Sequence, residues 1–335
     1  MTAPASELRL GTEEPLEYLS EAIAAAAALK AAVRLGVLDQ LDAEVATVQE
    51  LAAACGIDEA GAERLLNALA GLGLLEFYDG RWRSLQADLS GLGRMTAMWD
   101  HLDVALREGR PLVRADTADG AAAFYPEVVG NLGRMLRAAA QRAATRLPAA
   151  AHVLDGGAGA APWSLAYASL HPSCVITAVD LPAIVPTTRR AVIDAGRAWQ
   201  FELVSGDLFD VDLPRGRYDL VIAGNICHLF DGAANRRLLS VLYDALAPGG
   251  ALAIADIVPE EGRSSRAAAL YALGLHLRTG SGGVSPTEGV PGVAGRRRIP
   301  ASRAPPAGRR FPADVDHRSQ AGRVTAEWFI SVSSG

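Results

Sequence analysis

Apolar side chains recur at helical spacing through the first seventy residues, and the pattern predicts a small, mostly helical domain over residues 1–92. The spacing of apolar side chains in residues 14–39 predicts one amphipathic helix. The segment Thr47–Glu50 has the spacing of a capping box, in which two side chains bond each other's backbone N–H groups, so a second helix is expected to begin there. Asp58 is predicted to cap a third helix over residues 59–70.

A hairpin is predicted after these helices. Residues 74–78 and 81–85 form two short runs rich in aromatic and apolar side chains on either side of Asp79-Gly80, a dipeptide that favours a two-residue turn. Two helices and a hairpin are typical of a winged helix, which in a regulator would bind DNA. The helix before the hairpin carries Arg64 against two glutamates, whereas a DNA-reading helix needs a cationic surface. Packing or dimerisation is therefore the predicted role, and a homodimer is expected.

Residues 93–148 are predicted to be a helical linker that contributes to a substrate pocket, since 92–107 and 125–147 both have helical patterns. The candidate substrate-binding residues in it are Met95, Met98 and Trp99. The alternative is that these large apolar side chains only fill the core.

Beyond the linker, short apolar strands alternate with helices. The predicted strands are 153–154, 175–179, 201–205, 218–223 and 251–258, with helices over 163–170, 182–197 and 235–246. Nearly continuous apolar strands separated by helices predict an α/β domain, here residues 149–288, with a parallel sheet covered on both faces.

Composition narrows the classes of function. The 335 residues carry a formal net charge of −6, which favours neither nucleic acid nor an anionic membrane as a partner. Residues 22–35 are rich in alanine but interrupted by Lys30 and Arg34, so no membrane span is predicted. Three scattered cysteines and no signal peptide indicate a cytoplasmic protein. The six histidines show no metal-ligand spacing.

The stretch from Ala151 to Asp180 has the pattern of a nucleotide site. A strand runs into Asp155 and the glycine turn 156–159, a helix follows, and a second strand ends on Asp180. Glycines allow close approach of the backbone to a ligand, and an acid at the end of the second strand can accept both hydroxyls of a ribose. The bulk of Pro162-Trp163 is poor for cradling a pyrophosphate, which favours S-adenosylmethionine (SAM) over a dinucleotide. The alternative is a tight strand–helix turn with no ligand.

Other polar residues follow the remaining strands. In parallel sheets, ligands bind beyond the carboxyl ends of the strands. Asp207 and Leu208 are placed to flank an adenine, the carboxylate accepting from its amino group and the leucine packing on its face. The alternative for Asp207 is a turn or cap acid. The segment 224–228 and Asp256 follow the next two strands.

Taken in order, DGGAGAAPW, ITAVDLP, SGDLF, GNICHLFD and LAPGGALAIAD resemble the motifs of SAM-dependent small-molecule O-methyltransferases of the plant caffeate and bacterial polyketide type. The resemblance covers residues 15–288. It implies a Rossmann-like catalytic domain behind a winged-helix dimerisation domain, SAM as cofactor and a small-molecule acceptor. The residues it favours for SAM binding are Gly157, Asp180, Asp207 and Leu208, and Asp155 and Gly159 of the same turn are added as candidates.

The resemblance also implies that His228 is the general base, a role that suits an imidazole facing a phenol. Asp256 is expected to hold its ring, and Asn225 is a candidate substrate-binding residue. Leu229 stands where plant members have an aspartate, and the segment 284–286 lacks their second flanking carboxylate. Methyl transfer to carbon or nitrogen, or a winged-helix regulator that senses a small molecule, remain the alternatives.

The character of the chain changes at Gly289, where periodicity gives way to arginine, proline and glycine. Back-translated with GC-rich codons and read after skipping one base, the segment gives EYRAWLAAAGF and later TSITARK, a helix, a turn and a strand of the kind the family places here. We therefore predict a single-base insertion near codon 288 that leaves residues 289–335 as a non-native tail and the last strand with an unpaired edge. The alternative is a genuine disordered tail.

Overall fold

The computed structural model describes residues 15–85, 96–257, 266–283 and 327–331, the last of these for the backbone alone. The chain divides into two compact units, Met1–His101 and Leu102–Gly335. Within the described ranges, no helix combines the length and the apolar character that crossing a membrane requires.

The first unit has four α-helices and a two-stranded sheet among its described residues. These are α1 (Pro15–Arg34), α2 (Val37–Ala43), α3 (Val48–Cys55), α4 (Glu59–Gly71), β1 (Leu75–Tyr78) and β2 (Arg81–Ser84). The single helix predicted over residues 14–39 is wrong. Gly36, at φ +74°, adopts a left-handed conformation that ends the first helix before the second begins.

The predicted caps and hairpin are confirmed. Thr47 and Glu50 form a reciprocal capping box at the start of α3, and the Asp58 carboxylate accepts from Gly61 N–H at the start of α4. The strands β1 and β2 pair in antiparallel fashion. Trp82 of β2 is buried with leucines of the helices, so the hairpin is packed on the helical core of this unit.

The second unit alternates helices and strands. Its helices are α5 (Leu102–Glu108), α6 (Ala118–Phe124), α7 (Val129–Ala144), α8 (Pro162–Leu170), α9 (Val185–Asp194), α10 (Gly232–Ala245) and α11 (Arg266–Arg278). Its strands are β3 (His152–Gly156), β4 (Val175–Asp180), β5 (Phe201–Ser205), β6 (Tyr218–Gly224), β7 (Leu246–Asp256) and β8 (Glu327–Ser331). The predicted helix over 125–147 begins only at Val129, because Pro126 lies in a separate 3₁₀ turn.

The strands form one parallel sheet in the order β5-β4-β3-β6-β7-β8. Separate apolar clusters cover its faces, one around Ile176, Leu220 and Tyr167 and the other around Leu154, Val221 and Leu242. The predicted parallel α/β domain is confirmed. After β3, the chain adds β4 and β5 on one side of this strand and then β6, β7 and β8 on the other. The carboxyl ends of β3 and β6 therefore border the crevice in which such sheets bind ligands.

The unpaired edge predicted for the last strand is wrong. The backbone of Glu327–Ser331 pairs in parallel with residues 252–256 of β7. The run Trp328-Phe329-Ile330 has the aromatic and β-branched character that favours strands. The rest of the predicted tail, residues 289–326 and 332–335, lies outside the described residues, and the predicted insertion near codon 288 stays a prediction.

Candidate active site

A cavity of about 360 Å³ lies at the carboxyl ends of the central strands of the second unit. Its described walls come from the loops that follow β3, β4, β5 and β6 and from the segment 115–136. The predicted site residues on these walls are Gly157, Gly159, Asp180, Asp207, Leu208 and Asn225. The structure thus brings together loops that are up to about seventy residues apart in the chain.

The turn after β3 requires glycine at two positions. Gly157 and Gly159 have φ values of +74° and +56°, in the left-handed region. The N–H groups of Gly157 and Ala158 donate to the carbonyl of Val179, at 2.9 and 3.1 Å. A Cβ on Gly157 would lie 2.6 Å from Cδ1 of Ile226, across the cavity wall. A side chain at position 157 would therefore clash with Ile226, and glycine lets Ile226 pack directly on the turn.

Asp180 is fixed by the same turn. Its two carboxylate oxygens accept from the N–H groups of Gly159, at 2.6 Å, and Leu181, at 2.7 Å. Burial raises the pKa of this carboxyl, while the two N–H donors act in the opposite direction. Each carboxylate oxygen has more than one lone pair, so Asp180 can still accept from a ligand in the cavity.

Asp207 and Leu208 lie next to each other on the cavity wall. The Asp207 carboxylate accepts from Phe209 N–H at 2.9 Å, so it acts as a turn acid in addition to lining the cavity. Leu208 is buried and packs beside Gly156. An acceptor and an apolar surface thus stand side by side. We call the set Gly157, Gly159, Asp180 and Asp207 the cofactor end.

Asp155 does not line the cavity, so its position does not support the direct ligand contact that the sequence predicts for it. Its side chain is fully buried and accepts from the hydroxyl of Ser164 on α8. Burial raises the pKa of Asp155 to about 7, against the lowering effect of the Ser164 hydrogen bond. This pair ties the end of β3 to the helix that follows the glycine turn.

Asn225 is held in a left-handed conformation, at φ +57°, immediately after β6. Its N–H donates to Ala255 at 2.7 Å, and its Oδ1 accepts from the indole of Trp163 at 3.2 Å. Among the other candidate substrate-binding residues, Met98 and Trp99 belong to the first unit and Met95 lies outside the described residues, so their roles stay predictions.

His228 lies in a short 3₁₀ turn after β6 and is bound twice by Asp256 at the end of β7. One carboxylate oxygen accepts from His228 N–H at 3.1 Å, and the other lies 2.6 Å from Nδ1. Both residues are buried. Because a carboxylate can only accept, Nδ1 carries a proton and, in the neutral ring, Nε2 carries the lone pair.

Two residues that the sequence did not single out complete this part of the site. The hydroxyl of Tyr271, on α11, lies 2.9 Å from Nε2 of His228, with the two rings edge to face. The guanidinium of Arg278, seven residues along the same helix, lies over the Tyr271 ring at 4.9 Å. A separation of seven residues puts them on one face of α11, but no local motif marks that face. We call His228, Asp256, Tyr271 and Arg278 the base end.

Tyr125 connects the base end to the cavity. It lines the cavity wall, and its hydroxyl interacts with Arg278. Burial raises the pKa of Tyr125 to about 12, with Arg278 acting in the opposite direction. Burial also raises the pKa of Tyr271. Both phenols are therefore neutral hydrogen-bonding groups at physiological pH. No cluster of metal-ligating side chains occurs among the described residues.

Comparison with known protein families agrees with this architecture. Residues 131–286 match the sequence model of an O-methyltransferase domain. Residues 17–88 match that of an O-methyltransferase dimerisation domain. The chain belongs to this O-methyltransferase family. The predicted fold, a helical dimerisation domain followed by a Rossmann-like α/β domain, is confirmed, and the enzyme is an O-methyltransferase.

Relatives of this methyltransferase include enzymes of Streptomyces species. It is 28% identical, over 75% of its own length and 79% of the other chain, to the 3-hydroxy-5-methyl-1-naphthoate 3-O-methyltransferase of Streptomyces sahachiroi. It is 29% identical, over 74% and 78%, to the tetracenomycin polyketide synthesis 8-O-methyltransferase of Streptomyces glaucescens. It is also 26% identical, over 73% and 78%, to an N,N-dimethyltransferase of Streptomyces rimosus.

A solved structure shows the same fold at lower identity. The O-methyltransferase of neocarzinostatin biosynthesis, in complex with SAM and 2-hydroxy-5-methyl naphthoic acid, superposes with a TM-score of 0.56 at 20% identity. The superposition covers 82% of this methyltransferase and 90% of the other chain.

Proposed function

We propose that this methyltransferase transfers the methyl group of SAM to a hydroxyl of a small aromatic or polyketide-like metabolite, with His228 as the general base. The observation that carries the proposal is the Asp256–His228 pair, which leaves the lone pair of Nε2 directed at a phenolic hydroxyl, that of Tyr271. A phenolic acceptor carries the same chemical group. Relatives that methylate a naphthoate and a polyketide support the substrate class.

The cofactor end fits SAM. Asp180 can accept from the ribose hydroxyls, and Asp207 beside Leu208 offers an acceptor and an apolar face to the adenine. The backbone at Gly157 lines the cavity and carries no side chain, so the rest of the cofactor can approach it closely. These residues are therefore proposed to bind SAM, together with Gly159. When bound, SAM supplies a methyl group already activated on a sulfonium sulfur.

The contribution of the protein is then alignment and proton removal. The acceptor hydroxyl would replace the Tyr271 hydroxyl beside Nε2, and His228 would accept its proton as the oxygen takes the methyl group. The S–CH₃ bond would break in the same step, so that the cofactor leaves as the neutral thioether S-adenosylhomocysteine. Asp256 fixes the tautomer through Nδ1–H and stabilises the imidazolium that forms. Asn225, with its Oδ1 engaged by Trp163, has its amide N–H donors available to orient the acceptor.

The first unit is proposed to mediate homodimerisation, because it matches the dimerisation domain of the family. DNA binding is not favoured, since α4 carries Arg64 beside two glutamates.

The test is incubation of the full chain with isotope-labelled SAM and a panel of phenols, hydroxynaphthoates and aromatic amines, followed by mass spectrometry of the products. Addition of one labelled methyl group to an oxygen is the expected result. Transfer of the methyl group to nitrogen or carbon would show that the acceptor group is not a hydroxyl. If calorimetry shows that neither SAM nor its demethylated product, S-adenosylhomocysteine, binds, the proposal fails altogether.

A further inference from the structure

Arg278 has no carboxylate partner among the described residues, in contrast to Arg114 and Arg237. Arg114 pairs with Asp116 at 2.9 Å, and Arg237 pairs with Asp210 at 3.0 Å. Arg278 lies over the ring of Tyr271 and interacts with the hydroxyls of Tyr271 and Tyr125. Within the ranges that the structure describes, no carboxylate oxygen lies at ion-pair distance from its guanidinium, which is half-buried.

A half-buried guanidinium with this surrounding has unused binding capacity. It has five N–H donors in a planar fork, and two phenolic oxygens satisfy only part of them. Its geometry matches a carboxylate, which can accept two parallel hydrogen bonds. Removing a cation from water is unfavourable unless an anion or several acceptors compensate it, and an anion would supply acceptors for the N–H groups that the two phenols leave unused.

The location of Arg278 links this missing anion to the acceptor. Tyr125, which touches Arg278, lines the cavity, and Tyr271, which also touches it, is hydrogen-bonded to His228. The guanidinium is therefore connected to the cavity wall through Tyr125 and to the proposed base through Tyr271. A planar acceptor whose hydroxyl reaches Nε2 would extend from there toward Arg278.

We propose that Arg278 binds an acidic substituent of the acceptor, so that the substrate is an aromatic hydroxy acid and Arg278 is a specificity-determining residue. The inference rests on the proposed function and narrows its substrate class. Asp180, Asp207 and Asp256 give the cavity and its base a negative character. An acidic acceptor would be repelled there without a cation, and Arg278 supplies that cation beside the base.

The test compares two acceptors that differ only in the acid group, 3-hydroxy-1-naphthoic acid and 2-naphthol. Their affinities are measured by calorimetry on the full chain saturated with S-adenosylhomocysteine, so that no turnover is needed. For Arg278→Met we expect about 10- to 100-fold weaker binding of the acid, because a charge-assisted pair is lost, and a change within about twofold for the naphthol. Arg278→Lys should fall between, since it keeps the charge but not the fork.

Arg114→Met is the matched control, because Arg114 already has a carboxylate partner. It should leave the preference for the acid unchanged. Equal losses for both acceptors in Arg278→Met would assign the residue a structural role and overturn the inference. The inference would also be overturned if the wild-type protein binds S-adenosylhomocysteine but binds the acid no more tightly than the naphthol, or binds neither acceptor. Failure of the wild type to bind S-adenosylhomocysteine would instead refute the proposed function.

Discussion

The cofactor end and the base end of the site are built in different ways. At the cofactor end, the decisive partners are backbone groups. Asp180 binds two N–H groups, and the glycine turn binds the carbonyl of Val179. At the base end, the partners are side chains from three separate elements, with His228 between Asp256 and Tyr271. One end depends on strand and turn geometry, and the other depends on packing between distant segments.

This difference has a functional consequence. A backbone-built pocket is insensitive to most side-chain changes, which suits a cofactor that every member of a family shares. A pocket built by side chains of α11 can change with single substitutions, which suits acceptors that differ between members. The two ends should therefore respond separately to mutation, and substitutions at His228, Asp256 and Asp180 test that separation.

The largest expected effect is that of His228→Ala. Loss of a general base lowers turnover by about 10²- to 10⁴-fold. Affinity for S-adenosylhomocysteine should stay within about twofold of wild type, because His228 lies outside the cofactor end. Steady-state kinetics with labelled SAM and calorimetry give the two numbers. Turnover near the wild-type rate would remove His228 from the mechanism.

Asp256→Asn should lower turnover by about 10²-fold without weakening cofactor binding. The carboxylate accepts from both the backbone N–H and Nδ1 of His228, whereas an amide has one acceptor oxygen and must turn its NH₂ toward one of these donors. The ring then loses its fixed tautomer. Single-turnover kinetics with saturating cofactor measure the effect. An unchanged rate would show that the carboxylate does not position the base.

Asp180→Ala should give the opposite pattern. Removing the carboxylate takes away the proposed acceptor for the ribose and leaves the N–H groups of Gly159 and Leu181 unpaired. Binding of S-adenosylhomocysteine is expected to weaken by about 10- to 100-fold. At saturating SAM, the rate should recover most of its wild-type value. A rate that stays low at saturation would mean that the two ends are not separable.

The smallest expected effect is on stability. The pKa of Asp155 is about 7 in the folded chain and about 4 in an unfolded one. Its folded form thus favours the proton, and the contribution of Asp155 to the free energy of unfolding is fully present below about pH 4 and lost as the pH rises through about 7. Asp155→Asn should reduce this dependence, since the amide does not titrate. Urea unfolding of both proteins from pH 5 to pH 8 measures the difference. Parallel curves would contradict the raised pKa.

Sequence patterns could predict the cofactor end because its information is local. The residues of the cofactor end lie at a strand end or within three residues after it, as Asp180 does in β4 and Gly157 does after β3. The pattern could not separate Asp155 from these residues. Asp155 and Asp180 both lie near the carboxyl end of a strand, but the Asp155 side chain is buried against Ser164 of α8 and does not reach the cavity.

The base end could be predicted only in part. The family resemblance indicates His228, and the position of Asp256 after the next strand predicts that it holds the ring; the structure brings the two together across neighbouring strands. Tyr271 and Arg278 depend on how α11 packs, which no local motif encodes. The prediction of an unpaired edge at β7 was wrong for a similar reason. The strand that pairs with β7 lies about seventy residues further along the chain and leaves no signal near β7 itself.

Trp163 gives the protein a built-in optical probe. Its indole is buried on the cavity wall, packs against Gly224 and donates to Asn225. The emission of an indole depends on the polarity and hydrogen bonding around it. Ligands that enter next to Asn225 should therefore change the fluorescence, and a Trp163→Phe variant isolates that signal from the other four tryptophans. Occupancy could then be followed in real time without labels.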